Sequence, residues 1–272
     1  MFRVAESDND EVAIVTGASS GIGEATARLF ARHGYRVVLA ARRKERLEAL
    51  AQELSGAGQR VLATPADISK LEDIQRVVAE SLKRFGRIDV LVNNAGFGRL
   101  SWLEQLDPVT DIQALLQVNL LGLIWMTQAV LPHMIERRKG HIINVASMAS
   151  YIATPTYSIY AASKFGVRGF TDALRREASI YGVKVSAVYP GGVATEFGQH
   201  ARIQRKTGAT TPEWLKLSAE DVAKAIYRLA RRPRRQVVLP WLMHFAIGLN
   251  AYLPGVVDYA VQKLFVEPEK LK

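Results

Sequence analysis

Apolar residues along the chain fall into short runs separated by amphipathic stretches. Val12 to Thr16 is one such run, rich in β-branched residues and closed by Gly17, and it predicts a buried strand. From Gly21 to about His33, Ala25, Leu29 and Phe30 make a helical stripe that Gly34 ends. Tyr35 to Ala40 is the next strand, and Leu47, Leu50 and Leu54 share one face of a helix over Lys44 to Leu54. Val61 to Pro65 reads as strand, and Leu71 to Phe85 as a helix with Ile74, Val77, Val78, Ser81 and Leu82 on one side. Val90 to Asn93 is strand, Thr110 to Pro132 a long apolar helical stretch, and His141 to Ala146 strand again. Tyr157 to Tyr181 is predicted mostly helical and Lys184 to Val188 extended. Asp221 to Arg231 is a helix behind the cap-like Ser218, and Gln236 to Leu239 is the last strand.

Seven strand-sized runs therefore alternate with helix-sized ones, a pattern satisfied by an α/β parallel sheet with helices on both faces. No proline-rich or glycine-serine linker and no fixed-period repeat divides the chain, so one domain over residues 1–272 is expected. With 49% hydrophobic and 23% charged residues there is ample material for a core. The absence of cysteine excludes disulfides, thiolate nucleophiles and Cys-ligated metals. The five histidines show no paired ligand spacing, so no metal is expected. Met1 to Asp10 is acidic and polar, unlike a secretory leader, and together with the missing cysteines this leads to a cytoplasmic expectation.

The formal charge of +10 raises nucleic acid as a partner, but the basic residues are dispersed and no nucleic-acid-binding motif is present, so none is expected. The densest cluster is Arg228, Arg231, Arg232, Arg234 and Arg235. It reads as a solvated helix end and turn, or as a contact for an anionic membrane surface.

Candidate chemistry begins where the first strand ends, in Thr16-Gly17-Ala18-Ser19-Ser20-Gly21-Ile22-Gly23. Gly17 permits a tight turn, Gly21 lets backbone approach a pyrophosphate, and Gly23 lets helix and sheet pack closely. The free amides of the following helix then face an anion. A purely structural glycine turn is the alternative, but the position between strand and helix favours a dinucleotide. Gly17, Ser19, Ser20, Gly21, Ile22 and Gly23 are its expected contacts. At the end of the second strand an NAD site carries an acid. Here Ala40 and Ala41 are followed by Arg42 and Arg43, a fork suited to a 2′-phosphate, and no carboxylate stands there to repel it. NADP is therefore the expected cofactor. Arg42 and Arg43 are both expected cofactor contacts; the alternative is that they cap a solvated loop, and of the two Arg43 is the nearer to a bystander.

At this point the chain resembles the short-chain dehydrogenase/reductase family, over Val12 to about Thr195. The glycine turn, Asn93-Asn94-Ala95-Gly96, Asn119, Ser147, the Tyr160-x-x-x-Lys164 pair and Pro190-Gly191-Gly192-Val193-Ala194-Thr195 carry the resemblance. It implies a doubly wound, Rossmann-like, mostly parallel seven-stranded sheet with the cofactor across its C-terminal edge. It also implies reversible oxidation of a carbinol or reduction of a carbonyl. Asn119, Ser147, Tyr160 and Lys164 match the family's catalytic positions. Asp67 fits the position that approaches the adenine amino group, and Ile68 is placed near the ring. Asn94, Ala95 and Gly96 are placed beside the adenosine ribose, with Asn93 stabilising the sheet through backbone bonds. Pro190, Gly191, Val193 and Thr195 close over the nicotinamide, Thr195 and the Val193 backbone facing its carboxamide. A family water relay would make Asn119 shape a helix irregularity and link Lys164 to solvent; the bland alternative is a polar bridge between backbone segments.

Tyr160 and Lys164 stand four residues apart, so on one helix they share a face. A phenol titrates near pH 10, and a neighbouring lysine cation favours its ionised form. Tyr160 could then take the alcohol proton in oxidation and return it in reduction. Ser147 could donate to the substrate oxygen, and Lys164 could also hold the nicotinamide ribose.

Within the family the residues after Pro190 form a variable lid, which divides the chain into a core at 10–190, a lid at 191–217 and an apolar segment at 237–272. The lid carries Phe197 and Trp214 but also His200, Arg202, Arg205 and Lys206, which suits either a solvated loop or a cradle for an acidic group. Phe97, Met148, Tyr151, Ile152 and Tyr157 flank the centre and point to a lipophilic alcohol or ketone. Val237 to Val257 is apolar enough to be a core segment, a dimer contact or substrate gate, or a peripheral membrane contact; prolines near both ends argue against a span. The family implies a homodimer or homotetramer. The competing functions are a non-catalytic NADP-binding sensor and a membrane-surface module.

Overall fold

The computed structural model describes residues 10–55, 60–201 and 211–270, with the side chains of Gln199 and His200 excepted. Arg202, Arg205 and Lys206 of the expected lid lie outside the described residues.

The strands are β1 Val12–Thr16, β2 Arg36–Ala41, β3 Val61–Pro65, β4 Val90–Asn93, β5 Gly140–Val145, β6 Val183–Pro190 and β7 Gln236–Leu239. They form one sheet in the order β3-β2-β1-β4-β5-β6-β7, and every neighbouring pair is parallel. The order reverses between β1 and β4, so the loops leaving their C-terminal ends diverge and open a crevice there.

Alternation along β1 sends its residues to two cores. Val12 and Ile14 join Ile74, Val77, Met126, Val130 and Leu174 on one face; Ala13 and Val15 join Phe30, Leu47, Val222 and Ile226 on the other. The first face is covered by α3 Leu71–Phe85, the long helix Pro108–Glu136 and the helix Ser158–Ser179. The second is covered by α1 Gly21–Arg32, α2 Lys44–Ser55 and the helix Ala219–Arg231. Ser218 caps this last helix in a reciprocal bond pair with Asp221, which satisfies its first free amides.

A buried polar ladder crosses the first core. Asn93 donates to Thr127 Oγ1 and to Asn144 Oδ1, both at 2.9 Å, and Asn144 donates to Thr171 Oγ1 at 2.8 Å. Asn93 thus ties β4 to β5 through its carboxamide, where backbone bonds alone had been expected.

The segment expected to be core, gate or surface contact is not core. After β7 the chain forms helices Met243–Tyr252 and Pro254–Val261, neither with a buried residue. Broken at Leu253, each is far too short to span a bilayer. Met243 and Ile247 pack partly against Leu123, Val167 and Tyr189. Trp241, Phe245, Tyr252, Tyr259 and Leu264 remain exposed. The arm ends at Glu267–Lys270, where Lys270 pairs with Glu104 at 2.8 Å and lies over the Trp102 ring.

Candidate active site

Because all strands run the same way, the motif segments gather at one edge of the sheet. β1 passes into Gly17, whose φ of 67° is accessible to glycine without strain. A Cβ on Gly17 would stand 2.8 Å from the Ala95 Cα, and one on Gly23 only 2.2 Å from the Gly17 carbonyl oxygen. Turn, helix and β4 loop therefore approach as closely as backbones can. Ser20 precedes α1 without a side-chain cap, so first-turn amides stay available to an anion. These amides and the space kept by the glycines fit the phosphates of a dinucleotide, which residues 17 to 23 would hold.

Asn94 acts on this turn from below. Its Nδ2 donates to the Thr16 and Gly17 carbonyls at 3.0 and 3.4 Å, while its amide and that of Ala95 donate to Thr16 Oγ1. Expected as a cofactor contact, Asn94 spends its carboxamide nitrogen on positioning the turn. Asp67 accepts from the amide and hydroxyl of Ser69 through one oxygen. Ile68 is buried in the first core, its carbonyl and side chain pressed against Gly122 of the long helix.

The two arginines differ in their surroundings. Arg42 is exposed and makes no side-chain hydrogen bond among the described residues. Arg43 folds back over the turn, donating from Nε to Ser19 Oγ at 3.0 Å and from Nη2 to Ser20. Arg42 follows the end of β2 and is exposed, so the second arginine is the one that engages the turn. A carboxylate also stands here after all: Glu196 accepts from Arg43 at 3.0 Å and from Arg46 at 2.9 and 3.1 Å. These bonds hold Glu196 far below the usual carboxylate range, at about 2. Sequence reasoning missed Arg46 and Glu196. Arg46 carried a signal, a basic residue in the first turn of α2 three positions beyond Arg43; Glu196, some 150 residues away, carried none.

Ser147, Tyr160, Lys164 and Asn119 come together below the crevice. Ser147 follows β5 and starts the short turn Met148–Ser150, accepting from the Ala149 amide at 3.1 Å. Its hydroxyl hydrogen is left for the Tyr160 oxygen, a bond that favours the ionised phenol. Burial outweighs that bond and, with Tyr157 adding to the rise, pushes the Tyr160 phenol up to about 12. Lys164 does not reverse this. Its ammonium donates to the Val145 carbonyl at 3.1 Å and lies 5.7 Å from the centre of the Tyr160 ring, and burial pulls its own value down to about 8. Without a bound dinucleotide, burial is thus the largest influence on the phenol.

Asn119 takes the bridging role. Its Oδ1 accepts from the Phe97 amide at 2.9 Å and its Nδ2 donates to the Phe97 carbonyl at 2.8 Å. It sits in a π-helical turn, Gln117–Gly122, which is the expected helix irregularity.

Beyond Pro190 the chain crosses this edge. Val193 bridges Leu217, using the Gly192 carbonyl and Ala194 amide, so Val193's own amide and carbonyl face away from Leu217. Thr195 lies over Gly21, 3.2 Å from where a Cβ would be. The Phe197 ring rests on Tyr160 with centres 5.6 Å apart, and the Leu100 amide donates to the Ala201 carbonyl at 3.1 Å. Phe97 and Tyr157 share this apolar cluster. Tyr151 and Met148 do not: Tyr151 bonds Gln236 and stacks on Tyr189, on the side of the C-terminal arm.

Comparisons with known proteins agree with this geometry. Residues 11–206 match the family profile described as short chain dehydrogenase. The chain is 34% identical over 257 residues, covering 94% of itself and 82% of the relative, to an 11-beta-hydroxysteroid dehydrogenase-like protein of Arabidopsis thaliana. Among solved structures, a short chain dehydrogenase/reductase from Burkholderia phymatum in complex with NAD superposes with a TM-score of 0.82 at 26% identity, covering 94% of this chain and 96% of that one. An alcohol dehydrogenase from Thermococcus sibiricus complexed with 5-hydroxy-NADP superposes with a TM-score of 0.76 at 31% identity, covering 85% and 96%.

Proposed function

The chain belongs to the short-chain dehydrogenase family, and we propose that it is an NADP-linked oxidoreductase interconverting a lipophilic ketone and its alcohol. The observation that carries this reading is the joining of Ser147, Tyr160 and Lys164 beside an uncapped, glycine-cleared phosphate turn. A non-catalytic sensor would have no use for that combination.

Bound nicotinamide supplies the hydride acceptor or donor. Tyr160 holds the proton at its phenol oxygen. With burial keeping that phenol neutral at ordinary pH, its natural part is to give a proton to a carbonyl oxygen, with Ser147 donating to the same oxygen. Lys164, buried and donating to Val145, keeps a cation beneath the centre. Phe197, Tyr157 and Phe97 make the surrounding wall apolar, which favours a lipophilic substrate and excludes water from the phenol. Arg43, seated on Ser19 and Ser20 with Arg42 exposed beside it, supports NADP over NAD.

A screen of ketones, aldehydes and alcohols with both dinucleotides tests this. Turnover of apolar ketones with NADPH, faster than with NADH, is the expected result. Binding of NADP with no turnover across the panel would instead favour the sensor.

A further inference from the structure

Glu196 reaches the phosphate turn from the far side of the sheet, and it holds the arginine to which the turn itself is bonded. Arg43 has its Nε and Nη2 on Ser19 and Ser20 and its Nη1 on Glu196 Oε2 at 3.0 Å. Arg46 holds the same carboxylate at 2.9 Å. Thr195, one residue earlier, lies across Gly21, so the chain passes over the turn and delivers its carboxylate to the adenosine end. A phosphate monoester and a carboxylate ask for the same guanidinium donors in the same fork geometry. Two anions brought to one guanidinium also repel each other.

We propose that Glu196 sets cofactor discrimination in this chain by competing with the ribose 2′-phosphate for Arg43. The inference rests on the NADP reading and adds a residue to it. A dinucleotide without the 2′-phosphate leaves the Glu196–Arg43 pair in place. One that carries it must displace Glu196, so Glu196 lowers the affinity for NADP and hardly touches that for NAD. The pair is exposed, at 37% and 38% of the two side chains, so solvent keeps the effect moderate.

Equilibrium titration of the protein with NADP and with NAD, at low and at high salt, tests the competition. Glu196→Gln is expected to tighten NADP roughly three- to tenfold and to leave NAD within about twofold. The NADP gain is expected to shrink as salt screens the charges. No change, or equal tightening of both dinucleotides, overturns the proposal. Arg43→Ala in the same titration separates the two levels of the argument. If Arg43→Ala selectively weakens NADP while Glu196→Gln is silent, the competition alone is wrong. If Arg43→Ala leaves the NADP-to-NAD ratio unchanged, the 2′-phosphate reading fails as well, and the Glu196 proposal falls with it.

Discussion

Phe30 and Phe245 are the same side chain, yet the one in the less apolar stretch is fully buried and the one in the more apolar stretch is 66% exposed. Phe30 sits on α1 between Tyr35 and Tyr227, with ring centres 4.7 and 5.7 Å away, in the core that seats the phosphate turn. Phe245 is on the C-terminal arm and touches Trp241, itself exposed. Hydrophobic residues are not buried by composition alone. The stripe on α1 alternates with polar positions and meets a sheet, whereas Met243–Tyr252 is apolar on nearly every side and meets the body through Met243, Ile247 and a bond from Asn250 to the Tyr151 carbonyl. The turn is thus built on a packed element, while the arm rests on the opposite end of the sheet beside Tyr189 and Val238.

Substitution breaks or sharpens this contrast. Phe30→Ala is expected to cost about 3–5 kcal/mol in chemical denaturation, since it leaves a cavity in a packed core. Phe245→Ala is expected to cost less than about 1 kcal/mol. An equal cost at both positions would mean that the outer face of the arm is covered in solution.

A second contrast is in charge. His141 is buried and bonded to Ser186 Oγ at 2.8 Å. Because the Ser186 hydroxyl already donates to the Arg234 carbonyl, His141 Nε2 must be the donor and Nδ1 stays bare. Burial, helped by Lys184, lowers this imidazole to about 4. Between that value and the ordinary one near 6.5 the unfolded chain binds a proton that the folded chain refuses. The contribution of His141 is therefore full above about pH 6.5 and falls by about 3 kcal/mol as pH drops to about 4. Denaturation midpoints at both pH values, compared with His141→Phe, check this. A pH slope unchanged in the variant would assign the acid sensitivity elsewhere.

Much of the molecule was legible because the governing patterns are local. β1, β3, β4 and β7 begin and end where alternation and β-branching place them, and α3 does so where its apolar stripe runs. Gly17 and Gly23 were readable because a positive φ and a backbone contact admit little else. The partners of Arg43, the place of Glu196 and the exposed face of the arm were not readable for one shared reason. Each depends on which distant segment arrives beside it, and spacing along the chain says nothing of that. The burial of the Tyr160 phenol was not readable for the same reason: sequence shows a lysine one turn away but not the ring of Phe197 that packs on the phenol.

The central claim is that the Tyr160 oxygen carries the proton. Ketone reduction by Tyr160→Phe, measured alongside NADPH dissociation constants, tests it most directly. The account predicts turnover at least about a hundredfold below the parent chain, with NADPH affinity changed by no more than about twofold. A folded Tyr160→Phe protein reducing ketones at the parent rate would contradict it.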